Sequence, residues 1–152
     1  MKFLEEFAPL AGRSHLQVLA QTDSTNTRVK ELADAGAPSG AAVIADRQTA
    51  GRGRLGRSFS SPAGVGLYLS HLLRPTLPED RLMTVPALAA VAGGRGGRRA
   101  AGLARGIKWP DHPVCPGGKG SGILTQLRPP PSGPPAGHGS RIHRHQQNLF
   151  PH

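Results

Sequence analysis

The chemistry of this chain is concentrated in seven residues, Gly51-Arg52-Gly53-Arg54-Leu55-Gly56-Arg57. Three arginines within six residues put permanently charged, forked donors on one segment. The glycines between them let backbone approach a guest closely and adopt unusual dihedrals. A carboxylate or a phosphate is the natural guest of such donors. The spacing also spells G-x-G-x-x-G, but a dinucleotide site requires a helix opening near the third glycine. Here RSFSSPAG and then a strand follow. A kinase glycine-rich loop would need a later V-A-I-K-type strand, an H-R-D and a D-F-G, and none is present. The segment therefore reads as an anion-binding loop, set against the plainer reading of a solvated basic loop.

The elements that must hold this loop follow from periodicity. Residues 3–10 (FLEEFAPL) carry Phe3, Leu4, Phe7 and Leu10 at helical spacing, and residues 15–20 read as a strand. Asp23 or Ser24 makes an N-cap for a helix whose apolar face is Val29, Leu32 and Ala33, stopped by Gly36 and Pro38. Taken alone, Ser24-Thr25-Asn26 is a plain helix cap. Residues 41–46 form an apolar run typical of a buried strand, and residues 66–73 alternate as another. Pro78, Glu79 and Asp80 open a second helix with Leu82, Val85, Leu88 and Ala89 on its face. Pro86 should kink or bound it, and the glycines from Gly93 on should end it. Residues 106–109 and 121–127 read as short strands. The order predicts an α+β fold, a mixed β-sheet with flanking helices.

Composition divides the chain. Of its 152 residues, the first 92 hold 10 Lys/Arg against 8 Asp/Glu, whereas residues 93–152 hold 9 against a single Asp. Gly and Pro make up more than a third of that second part, the composition of low-complexity chain. The single Cys115 excludes a disulfide framework, and no apolar run is long enough for a spanning helix. A soluble, cytoplasmic protein with no membrane partner is expected. His15 and His71 read as structural. His138, His143, His145 and His152 lack acidic or cysteine support, so no metal site is expected.

Five motifs in order over residues 15–127 carry a family resemblance: Asp23-Ser24-Thr25-Asn26; ADRQTAGRGRLGRSFSSP at 45–62; GLYLS at 66–70; Ile107-Lys108-Trp109-Pro110; and Lys119 with Gly122-Ile123-Leu124. Together they resemble the catalytic domain of biotin–protein ligase, the bacterial biotin–[acetyl-CoA-carboxylase] ligase. The resemblance implies a partial catalytic domain over 1–127, incomplete at its C-terminal side, and an irregular Pro/Gly/Arg/His-rich tail over 128–152. It implies ATP-dependent formation of biotinyl-5′-AMP with Mg²⁺, then transfer of biotin to a lysine of the biotin carboxyl carrier protein of acetyl-CoA carboxylase. By the same resemblance Ser24, Thr25, Asn26 and Gln48 contact biotin, and Arg52, Gly53 and Arg54 fold over biotin and phosphate. Lys119 reaches the biotin carboxylate and the adenylate phosphate, Lys108 adds charge beside the ATP phosphates, and Phe59 stacks on adenine. Arg54 and Lys119 are the expected catalytic pair. No winged-helix segment precedes Ser24, so specific DNA binding is not expected.

The family's K-W-P-N-D stands here as Lys108-Trp109-Pro110-Asp111-His112, and Pro113 follows where a strand residue is expected. The family pattern lapses at 93–105 and after Leu127, where Arg, Gly and Pro accumulate as they do when GC-rich codons are read out of frame. Two alternatives follow: an inactive or ligand-binding-only fragment of the enzyme, and non-specific nucleic-acid binding by the basic second part, whose Gly93–Arg99 run resembles an RGG segment but lacks interleaved aromatics.

Overall fold

A computed structural model describes residues 15–101, 106–108, 112–115, 118–119, 121–128 and 142–149, with Glu5, Phe7 and Pro9. The helix expected over 3–10 lies mostly outside the described residues; those three are helical. The elements are β1 (Leu16–Thr22), α1 (Thr25–Asp34), β2 (Ala42–Gln48), β3 (Leu67–Leu73), α2 (Val85–Ala101), β4 (Gly106–Lys108), β5 (His112–Cys115), β6 (Gly118–Lys119), β7 (Ser121–Arg128) and β8 (Ile142–Leu149). The main sheet runs β1-β2-β3-β8-β7, and β4-β5-β6 form a separate antiparallel sheet. β1 and β2 are parallel and every other pair of the main sheet is antiparallel, so the sheet is mixed and the fold is α+β. Among the described residues no helix is long and apolar enough to cross a membrane.

Parallel β1 and β2 require a crossover, and α1 supplies it. Its Val29 and Ala33 pack on Ala41, Val43 and Leu72, with Leu19, Leu32 and Ala37 around them. The register opposes Val43 to Ser70 and Ala45 to Tyr68, so Tyr68, Ser70 and Leu72 share the α1 side of β3. The end of α1 is closed by a left-handed Gly36 (φ 84°), with Gly36 N–H donating to Ala33 O (3.1 Å) and Ala37 N–H to Leu32 O (2.9 Å). That pair of bonds is a Schellman motif, as the Gly36 stop predicted. The Arg74 guanidinium adds charge-assisted bonds there, from Nη2 to Ala37 O (2.9 Å) and Ala33 O (3.3 Å).

Three expectations are corrected. The second helix does not end at Gly93: α2 runs to Ala101 after a 3-10 turn at Glu79–Thr84. Each interior glycine costs about 1 kcal/mol of helix propensity. Packing of α2 against β4, β5, β7 and β8, with Val85 and Ala90 buried, outweighs that cost. Pro86 sits in the first turn of α2, where its missing N–H has no intrahelical partner to lose. The stretch 128–152 is not irregular throughout. Residues 142–149 form β8, which pairs with β3 on one side and β7 on the other and so closes two ladders of main-chain groups. Pro113 does lie in a strand, β5, at a position that pairs with Ile107 of β4.

Gly94 and Gly96 lie within α2, and a Cβ built on either meets nothing within 4 Å. The double variant Gly94→Ala/Gly96→Ala should therefore raise unfolding stability in urea by about 1–2 kcal/mol. No gain would mean that this stretch is not helical in solution.

Candidate functional site

The site starts at the turn from β1 into α1. Ser24 occupies the N-cap position with extended backbone (φ −156°, ψ 131°), yet its side chain makes no capping bond. The plain-cap reading of Ser24-Thr25-Asn26 is thereby corrected: all three are buried, which exposed caps are not. Thr25 N–H and Oγ1–H both donate to Gln48 Oε1, at 2.9 and 3.1 Å, joining the start of α1 to the end of β2. Gln48 Nε2 donates to Ser61 Oγ at 2.9 Å, and Ser61 Oγ–H to Phe59 O at 3.2 Å. Ser70 Oγ on β3 lies 2.8 Å from Thr25 Oγ1 and 3.0 Å from Asn26 Oδ1. Ser24 Oγ and Asn26 Nδ2 are buried with no hydrogen-bond partner among the described residues. Buried unpaired polar atoms cost about 1–3 kcal/mol each, so two of them within one turn are a feature that folding alone does not favour.

The glycine-arginine segment is an ordered hairpin whose arms are bridged at Gln48–Ser61 and Arg52–Ser58. Phe59 N–H donates to Gly51 O (2.8 Å) and Gly53 N–H to Arg57 O (2.7 Å). The hairpin base is tied to the β1–α1 turn by Thr49 N–H to Thr22 O (2.9 Å) and Ala50 N–H to Asp23 O (2.8 Å). A Cβ on Gly51 would lie 2.5 Å from Phe59 O and 2.6 Å from Ser61 Oγ, so only glycine fits beside the Gln48–Ser61 pair. The tip, Arg54–Gly56, turns through a left-handed Leu55 (φ 56°) that is 92% exposed. No helix follows the third glycine, which excludes the dinucleotide reading.

Arg52, Arg54 and Arg57 are exposed around the tip. With Gly53 and Phe59 they line a cleft of about 360 Å³ whose other wall is Gly122, Ile123 and Leu124 of β7. A second cleft of about 510 Å³ is lined by Gln48, Gly51, Phe59 and Ser61. Phe59 and Ser58 border both. Nearby, burial alone would raise the Asp23 carboxyl. The Ser24 amide, the Thr22 hydroxyl and the Arg28 guanidinium outweigh it and hold Asp23 below the usual carboxylate range. Asp23 thus stays ionised at the mouth of α1, where the helix N-terminus favours negative charge.

The fold brings Thr25, Asn26 and Gln48 into one hydrogen-bonded group beside Ser24, and Arg52, Gly53, Arg54 and Phe59 into one cleft. Lys108 and Lys119 are placed on β4 and β6 of the smaller sheet; their side chains lie outside what is described. Among the described residues no three His, Cys, Asp or Glu side chains converge as a metal site. Sequence reasoning missed Ser61 and Ser70. The signal for Ser70 was present, a small polar residue between Tyr68 and Leu72 on an otherwise apolar, period-two face.

Residues 18–129 match the model of the biotin/lipoate A/B protein ligase family. The chain is 42% identical over 114 residues to the bifunctional ligase/repressor BirA of Bacillus spizizenii, covering 75% of this chain and 35% of that protein. It is 34% identical over 125 residues to the biotin–[acetyl-CoA-carboxylase] ligase of Mycobacterium tuberculosis, covering 79% and 47%. The Aquifex aeolicus biotin protein ligase solved in complex with biotin and ATP superposes with a TM-score of 0.70 at 31% identity, over 90% of this chain and 52% of that one. The chain thus spans a third to a half of the length of these relatives.

Gly51→Ala should force the hairpin arms apart at the Gln48–Ser61 bridge. Proteolysis within residues 52–58 should accelerate at least several-fold while far-UV circular dichroism of the sheet is retained. An unchanged cleavage rate would contradict the close approach at Gly51.

Proposed function

The chain belongs to the biotin/lipoate A/B protein ligase family, and from that premise we propose that it binds biotin at the β1–α1 turn and activates it with ATP. The observation that carries this reading is the pair of buried, unpartnered polar atoms on Ser24 and Asn26, set against the Thr25–Gln48 bond. A cyclic urea offers both a carbonyl acceptor and N–H donors, which suits a hydroxyl and a carboxamide two residues apart in one turn. The relatives named for biotin ligation, and the neighbour holding biotin and ATP, support the same ligand pair.

The chemistry then follows from charge. The biotin carboxylate oxygen forms a bond to the α-phosphorus of ATP while the bond to the bridging oxygen breaks and pyrophosphate leaves. Two anions must meet, so fixed donors have to offset their repulsion and align them. Arg52 and Arg54 on the hairpin supply forked, permanently charged donors at the cleft that faces β7. Phe59 borders both clefts, a position from which a ring can stack on adenine. Lys119 and Lys108 are proposed to add charge at the carboxylate and the phosphates. In the second step an acceptor lysine amine attacks the anhydride carbonyl and AMP departs. The acceptor we propose is a biotin carboxyl carrier protein, in the cytoplasm. Mg²⁺, bound together with ATP, would offset negative charge on its phosphates.

Biotin-dependent exchange of pyrophosphate into ATP tests this directly. The full chain should catalyse exchange, and Arg54→Met should reduce it by about a hundredfold, the usual effect of losing one donor aimed at developing charge. Biotin binding without any exchange would favour the ligand-only reading, and no response to millimolar biotin would overturn both.

A further inference from the structure

The bonds joining Phe59, Ser61, Gln48, Thr25, Ser70 and Asn26 form one continuous chain, and a hydroxyl has a single proton to give. Two main-chain groups fix its direction. The Thr25 amide N–H can only donate, which turns Gln48 Oε1 toward α1 and its Nε2 toward Ser61. The Phe59 carbonyl can only accept, so Ser61 gives its proton there and accepts from Gln48. Thr25 Oγ1, 3.1 Å from Gln48 Oε1, must then donate to it, since two oxygens in contact without a proton repel. Its lone pair in turn accepts the Ser70 proton at 2.8 Å.

Ser70 now has no second proton, yet it lies 3.0 Å from Asn26 Oδ1, while Asn26 Nδ2 is buried with no partner. The two ends of a carboxamide have the same shape, so the hydrogen-bond network decides which faces Ser70. A half-turn of the amide puts Nδ2 on the Ser70 lone pair and leaves the carbonyl oxygen as the buried, unfilled end of the chain. That exchanges an orphaned donor for an unfilled acceptor, the less costly of the two. The opposite order, Thr25 to Ser70 to Asn26, would leave Thr25 Oγ1 and Gln48 Oε1 in contact with no proton between them and Nδ2 still unpaired.

We propose that Ser70 is a positioning residue: it holds Nδ2 of Asn26, so that Asn26 presents its carbonyl oxygen and the site takes its ligand through that ligand's own N–H. This rests on the biotin reading for the ligand's identity, where the N–H belongs to the cyclic urea. The orientation itself rests only on the hydrogen-bond chain. The hydroxyl of Ser24, a residue that is 1% exposed, is likewise unpartnered among the described residues and can donate or accept.

Neutron diffraction from deuterium-exchanged crystals of the ligand-free full chain reads the orientation directly. Two deuterons on the Asn26 atom facing Ser70 are expected, and that fixed placement should be lost in Ser70→Ala. A bare oxygen facing Ser70 would overturn the proposal. Biotin titration reads the consequence: Ser70→Ala should bind biotin about tenfold more weakly than the parent chain. Equal affinity in the two would also overturn it. If the parent chain binds no biotin, the functional reading fails while the neutron result still decides the role of Ser70.

Discussion

One carboxamide ties the functional half of this molecule together. Gln48 sits at the last position of β2, where the parallel strand pair ends and the hairpin begins. Its oxygen collects two donors from Thr25 at the start of α1, and its nitrogen reaches Ser61 on the returning hairpin arm. Three separate segments, 23 and 13 residues away from Gln48 or adjoining it, are thereby held in one geometry. Gln48 is 5% exposed, so these bonds form in a medium where leaving any of them unmade is costly. A buried network of this kind specifies position as much as it adds stability.

The hairpin depends on that anchor. Gly51 is packed so closely on the Phe59 carbonyl and Ser61 that no side chain fits, and this contact fixes where the arginines begin. Beyond it the arms are held by main-chain bonds, and Arg52, Arg54 and Arg57 are exposed around a left-handed turn. An apolar Leu55 in that conformation is strained by about 1 kcal/mol or more. Base and tip differ in kind: the base is a buried network of neutral polar groups, and the tip carries three exposed arginines.

Much of this was legible in the sequence where local rules and packing agree. The Gly36 stop, the buried run of β2 and the alternation of β3 follow from one residue's dihedral preference or from period-two patterning. The five motifs led to the family to which residues 18–129 belong. What was not legible depends on partners distant in sequence. Nothing local says that Gly93–Gly97 stays helical, because the sheet behind α2 decides it. Residues 142–149, rich in His and Gln, carry no strand pattern, and β8 exists because β3 and β7 each offer it a ladder. Ser24-Thr25-Asn26 reads as a cap by type, and only burial distinguishes it from one. Ser61 and Ser70 stand 13 and 22 positions from Gln48 in the chain, and their place in the network is a property of the folded hairpin and sheet.

The central claim is that the β1–α1 turn is the pocket for the ligand's polar ring. A crystal structure of the full chain grown with biotin tests it most directly. The account predicts the ureido ring within hydrogen-bond distance, about 3 Å, of both Ser24 Oγ and the Asn26 carboxamide, with the Thr25–Gln48–Ser61 bonds intact. Biotin bound elsewhere, with Ser24 and Asn26 still unpartnered, would contradict it.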